Sequence, residues 1–146
     1  MKYGTYTKAR EYMEKGQIAD WLQLFLRSDG KNVALADGLL LEKRHYVGLR
    51  TIPINLLDSV KSGTPEYLHD EDSIRYFFYV VNRMKEDVKH WDVPPLIVNY
   101  RNGSFEVNDG RHRLEMYRQL DVKEINVVLW VTGDKDYKDL LEVLSC

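Results

Sequence analysis

Asn108-Asp109-Gly110-Arg111-His112-Arg113 sets two guanidiniums, an imidazole, an amide and a carboxylate around one glycine. A guanidinium fork can hold two oxygens of one phosphate, which an ammonium cannot. Gly110 lets the backbone approach a ligand closely or take a positive φ. If a helix begins here, the N–H groups of its first turn add partial positive charge at the same place. Together these make an anion site, and phosphate is the anion it suits best. The candidate ligand contacts are therefore Asn108, Gly110, Arg111, His112 and Arg113. Either Asp109 or Asn108 is a natural N-cap for such a helix.

The flanking residues supply elements to hold the loop. Leu96-Ile97-Val98-Asn99-Tyr100 is strand-like, Asn102-Gly103 is a hairpin turn, and Phe105-Glu106-Val107 is the returning strand. After the loop, Leu114, Tyr117 and Leu120 place an apolar stripe on a short helix. Ile125–Val131 is β-rich and apolar on both alternating sets, which predicts a central strand.

In this order, VPPLIVNYRNGSFEVNDGRHRLEMYRQLDVKEINVVLWV resembles the core of the ParB/sulfiredoxin superfamily. There a PP-I-V strand leads through a hairpin to a G-x-[HR]-R loop, a helix and an I-x-V strand. The resemblance runs from Tyr46 to Leu144 and is strongest over Val93–Val131. Ile52-Pro53-Ile54 and Leu56-Leu57 are similar to the family's first strand and the apolar pair after it. The resemblance implies an α+β fold over residues 39–146, a small mixed sheet flanked by helices. It also implies that the loop binds nucleotide phosphates, because relatives hydrolyse CTP, use ATP, or phosphorylate free serine with ADP. Carried over by position, Gly110 allows close approach to the phosphates and Arg113 matches the family's arginine. His112 stands where sulfiredoxin-like relatives place a histidine. Asp109 matches an acid implicated in catalysis or in holding a metal, which makes it the candidate catalytic residue; a plain N-cap is the alternative. The implied cofactor is ATP, ADP or CTP with Mg²⁺, and the implied chemistry is phosphoryl transfer or nucleotide hydrolysis.

Departures from the family narrow the field. Sulfiredoxin-like enzymes need a cysteine where Arg111 stands, because a thiolate reduces the sulfinate. The single cysteine, Cys146, is far away in sequence. Partition proteins continue into a helix-turn-helix, and one helix follows the last strand here, so a clamp that slides on DNA is not expected. Kinase-like relatives use a glutamate near the first strand as general base, and neither Asp58 nor Glu66 stands in a matching position.

Upstream, Thr7–Lys15 predicts a short helix stopped at Gly16. Ile18, Trp21, Leu22 and Phe25 fall at i, i+3, i+4 and i+7 of a second helix, ended by Ser28-Asp29-Gly30. Residues 1–38 thus form a helical extension packed on the core domain. Were that stripe exposed, it would mark a non-catalytic protein-interaction module. Leu39-Leu40-Leu41 is strand-like and would bring Glu42, Lys43, Arg44 and His45 to the nucleotide cleft. Residues 62–72 read as a loop. Ser73–His90 is a helix whose face of Ile74, Phe77, Phe78, Val81, Met84 and Val88 belongs to the core. Asp134 can cap a last helix with Tyr137, Leu140, Leu141 and Leu144 facing inward.

A formal net charge of -2 disfavours a free-standing nucleic-acid binder, which carries a basic excess. The basic loop could still hold a backbone phosphate, so a DNA-binding or ParB-like nuclease domain is the alternative reading. His69, Asp70, Glu71 and Asp72 offer hard donors with nothing to fix their geometry, and no metal site is expected from them. There is no Walker loop and no G-x-S-x-G elbow. No apolar run reaches the ~18–20 residues that cross a bilayer. The first residues lack a signal's apolar region, and one cysteine makes no disulfide framework. A cytoplasmic protein with no membrane partner is expected.

Overall fold

The computed structural model describes residues 2–61 and 68–145. Three helices come first. The Thr5 hydroxyl accepts the Lys8 N–H and so starts α1 (Tyr6–Glu14). In α2 (Ile18–Arg27) the helical spacing of apolar residues holds, and Ile18, Trp21, Leu22, Phe25 and Leu26 are all buried. Asn32 caps α3 (Val33–Leu39) by accepting the Leu35 N–H.

The last of these helices replaces the strand expected at Leu39–Leu41. Asn32 nucleates a turn, and Ala36 and Leu39, three residues apart, bury one side of it. Leu40 and Leu41 lie past its end and are exposed. The helix also overruns the expected 38/39 boundary by one residue.

Strand β1 (His45–Pro53) runs into a 3-10 turn at Ile54–Leu57. Of the expected 62–72 loop, residues 62–67 lie outside the described residues. Asp70 caps α4 (Glu71–Asp87), which ends in a further 3-10 turn at Val88–His90. Then come the hairpin β2 (Leu96–Arg101) and β3 (Ser104–Asp109), α5 (Arg111–Gln119), β4 (Glu124–Val131) and α6 (Asp134–Ser145). Asn102 and Gly103 have φ of 50° and 82°, the pair of positive values that suits a tight hairpin's twist.

The sheet order is β1-β4-β2-β3, with β4 antiparallel to β1 and parallel to β2. As expected, the strand that is apolar on both faces is central. The fold is α+β, a mixed sheet covered on both sides. On one face Leu96, Val98, Val127 and Leu129 pack with Leu114 of α5 and Leu140 of α6. On the other, Ile97, Val128 and Trp130 pack with Trp21, Leu22, Phe25 and Leu39 of the N-terminal helices. Each such side chain contributes about 1.5–3 kcal/mol when fully buried. The N-terminal helices therefore share a core with the sheet. With the α2 stripe buried, the interaction-module reading loses the observation that motivated it.

Helix α4 packs on α5 through Phe77, Val81 and Met116. Contact with Phe77 and Val81 of α4 explains why Met116 is buried, off the predicted stripe, while Leu120 is exposed. At the start of α6, Asp134 Oδ1 lies 2.9 Å from His45 Nε2, and Leu141 points outward. No helix among the described residues is long and apolar enough to cross a membrane.

Candidate functional site

A bulge shapes the loop. Val98 pairs with Val107, but Ile97 pairs with Asp109, so β3 carries an extra residue at its end. Such a bulge re-aims consecutive side chains. Asn108 accepts the Trp130 indole N–H at 2.8 Å and donates to Asn99 Oδ1 at 2.9 Å. Asn99 in turn donates to Glu106 at 2.9 Å. Asn108 thus ties β3 to both β2 and β4. Asp109 turns to the N-terminal layer and accepts from Asn32 Nδ2 at 3.2 Å.

Neither Asn108 nor Asp109 caps α5. The cap is Gly110, at φ 110°, and no side chain bonds there. The Asp109 carboxylate is committed elsewhere, since its second oxygen accepts from Arg113 Nη2 at 2.8 Å. A Cβ on Gly110 would lie 2.9 Å from that same nitrogen and 2.9 Å from Leu96 Cγ. The glycine is needed for its backbone angle and for the packing beneath it.

Arg113 points inward and is only 5% exposed. Its Nη1 donates to the carbonyls of Pro94 at 2.7 Å and Pro95 at 3.1 Å. Burial pushes the guanidinium below its ordinary pKa and the Asp109 charge pushes back; the side chain stays charged. It clamps the loop to the entry of β2. Arg111 leaves on the other side, where Nη1 donates to the Lys61 carbonyl at 3.1 Å. The two arginines of the loop therefore diverge.

His112 lies between them, half-buried, its ring stacked on Phe77 with centroids 4.4 Å apart. Burial and then the Arg113 charge hold its pKa below the ordinary histidine value, against the pull of Asp109. The unfolded chain thus takes up this proton at higher pH than the folded one. Stability from this group is full above about pH 6.5 and is lost as the pH falls below it. We expect Tm to drop between pH 7 and pH 5, less steeply in His112→Gln. Parallel profiles for the two proteins would remove His112 as the cause.

Beside the loop is a cleft of about 300 Å³. Gly110, His112 and Arg113 line it together with Met84, Trp91 and Pro94. The N-terminal layer closes the far wall with Gly4, Phe25 and Asp29. Burial alone would raise the Asp29 pKa, but the Gly4 and Tyr3 N–H groups, at 2.7 and 3.1 Å, outweigh it and lower it. Glu42, Lys43, Arg44 and His45 are not in the lining, because α3 carries them away. Arg44 lies over the Trp130 ring at 5.0 Å and donates to the Gly38 carbonyl.

Among the described residues no three carboxylates, histidines or cysteines gather to hold a metal ion. Asp70 is used as the α4 cap. Sequence reasoning missed Asp29, Asn32, Met84 and Trp91 as parts of this region. Asp29-Gly30 read as a helix stop, and nothing local ties Trp91 to the loop. No family model, curated protein or solved structure matches the chain.

Proposed function

We propose that this protein binds a nucleotide or another phosphate-bearing small molecule in the cleft, with the phosphates on the N-terminus of α5. The observation that carries this is a helix start left without a side-chain cap, opening beside His112 into a concave site. First-turn amides and the helix dipole favour an anion there. His112 is the side-chain contact; Arg111 leaves on the other side of the loop, toward the Lys61 carbonyl. Asn108, Asp109 and Arg113 act as positioning residues that fix the loop's shape.

Binding is better supported than turnover. Each oxygen of Asp29 and of Asp109 already accepts a hydrogen bond. Among the described residues no three carboxylates, histidines or cysteines gather at the cleft to hold Mg²⁺. A magnesium ion would enter with the phosphates it neutralises.

Thermal denaturation with ATP, ADP, CTP and GTP, each with and without Mg²⁺, tests the reading. Ligand at a hundredfold excess over Kd adds about 2.7 kcal/mol, a rise of several degrees in Tm. We expect that rise with at least one nucleotide and its loss in His112→Ala. No rise with any of them would sink the proposal. A basic loop that instead held a nucleic-acid backbone would bind DNA with steep salt dependence.

A further inference from the structure

Helix α4 buries Phe77 and Val81 and leaves its other side open. On that open side Asp72, Tyr76, Tyr79 and Arg83 form one row, spaced by four, three and four residues. All four are exposed, Tyr76 by 66% and Tyr79 by 57%. The two rings lie side by side, with centroids 6.3 Å apart and planes 25° from parallel. Neighbouring tyrosines on one exposed face mark an interaction surface, because their rings carry a large apolar area and interfaces favour them. Beside the row, Tyr79 and Arg83 help to line a groove of about 490 Å³ with Val80, Met84 and Trp91. Asp72 lies 3.6 Å from Arg75, an exposed and long pair that holds it weakly.

The order of the row selects its partner. Reversed, the spacing of four, three and four is unchanged, while acid-Tyr-Tyr-base becomes base-Tyr-Tyr-acid. A second α4 laid antiparallel therefore sets Asp72 against Arg83, Tyr76 against Tyr79, and the same pairs again at the other end. A patch that matches itself after a half-turn is what a twofold interface requires. The spacing is also that of the seam along which two helices pack. In this register Arg75 falls opposite Val80 and Ser73 opposite Asn82, so like charges do not meet. A parallel alignment would instead set Asp72 on Asp72 and Arg83 on Arg83, which is unfavourable. We propose that α4 pairs antiparallel with α4 of a second copy of this chain, through this row. At 17 residues α4 is about 25 Å long, so the contact lies at the small end of specific interfaces and the dimer is reversible.

Sedimentation velocity of the full chain over a concentration series tests this with Asp72→Arg, Arg83→Asp and the two combined. Both side chains are exposed, so the changes leave the core intact. The unaltered chain should show a reversible monomer–dimer equilibrium. Each single reversal brings like charges together at both ends of the row and should weaken the dimer about tenfold or more. An equimolar mixture of the two single variants should recover the dimer, because every charge then meets its opposite. The double variant should recover it alone, which only the antiparallel order allows. Recovery in the mixture also shows that both single variants are folded. A chain monomeric at every concentration would overturn the proposal and leave the row to a different partner. A dimer indifferent to both reversals, or one that the mixture or the double variant fails to restore, would overturn it equally.

Discussion

Arg113→Met is expected to lower the unfolding free energy by about 3–5 kcal/mol, the cost of removing one partner of a buried ion pair. Methionine fills much of the same volume, so the loss comes from polar groups left behind. They are the Asp109 carboxylate and the Pro94 and Pro95 carbonyls, all bonded by this one guanidinium. Urea denaturation would read the change as a lower midpoint at constant slope. In the double variant with Asp109→Asn, the second change should cost less than it does alone, by about 0.5–3 kcal/mol of coupling. A loss under 1 kcal/mol in Arg113→Met would mean that water or a shifted loop replaces the clamp. The same experiment bears on function. Lost ligand binding in an Arg113 variant would follow from a collapsed loop, without any contact between Arg113 and phosphate. His112, half-exposed to the cleft, is the cleaner probe.

The contrast between Arg113 and its neighbours shows what the chain's letters do and do not reveal. Helical periodicity located α2 and α4, whose runs are long enough for one face to repeat, the Asn102-Gly103 turn located the hairpin, and a run apolar on both faces located the central β4. The heptapeptide of α3 is too short to show such a face, and Gly38 within it masks the helix further. The start of β1 was obscured differently. A bulge between Tyr46 and Gly48 breaks the alternation there, and Gly48, at φ 98°, admits Met13 of α1 against its backbone. An arginine after Gly-x-His looks like a ligand contact, since charged side chains are seldom buried. Its burial depends on three partners from two places: Asp109, turned by the bulge, and the two carbonyls of a Pro-Pro pair. The Asp109–Arg113 spacing of i, i+4 is the one local hint of the pairing. The cleft was least legible. Its walls come from residues near 4, 29, 84, 91 and 112, and only the packing of α2 on the sheet brings the first two to the loop.

Gly110→Ala is the second large effect, and it separates two costs that glycine substitutions usually mix. A φ of 110° strains any residue with a Cβ, by roughly 1–2 kcal/mol. Gly16 also has positive φ, at 68°, but nothing lies within 4 Å of where its Cβ would be. Gly16→Ala should therefore cost little more than the conformational part, about 1 kcal/mol. At Gly110 the new methyl meets Leu96 Cγ, the branch point of a fully buried side chain, and the pinned fork of Arg113. Overpacking adds about 1–3 kcal/mol, for a total near 2–5 kcal/mol. An arginine terminus is usually flexible and could swing aside, but here that motion breaks its bonds to Asp109 and the proline carbonyls. Gly110→Ala should thus behave like a partial Arg113 deletion, and combining it with Arg113→Met should cost less than the sum. Equal losses at Gly16 and Gly110 in urea denaturation would show that the clamp yields freely. In that case the loop's shape would not depend on Arg113, and a direct role for this guanidinium at the ligand would again be open.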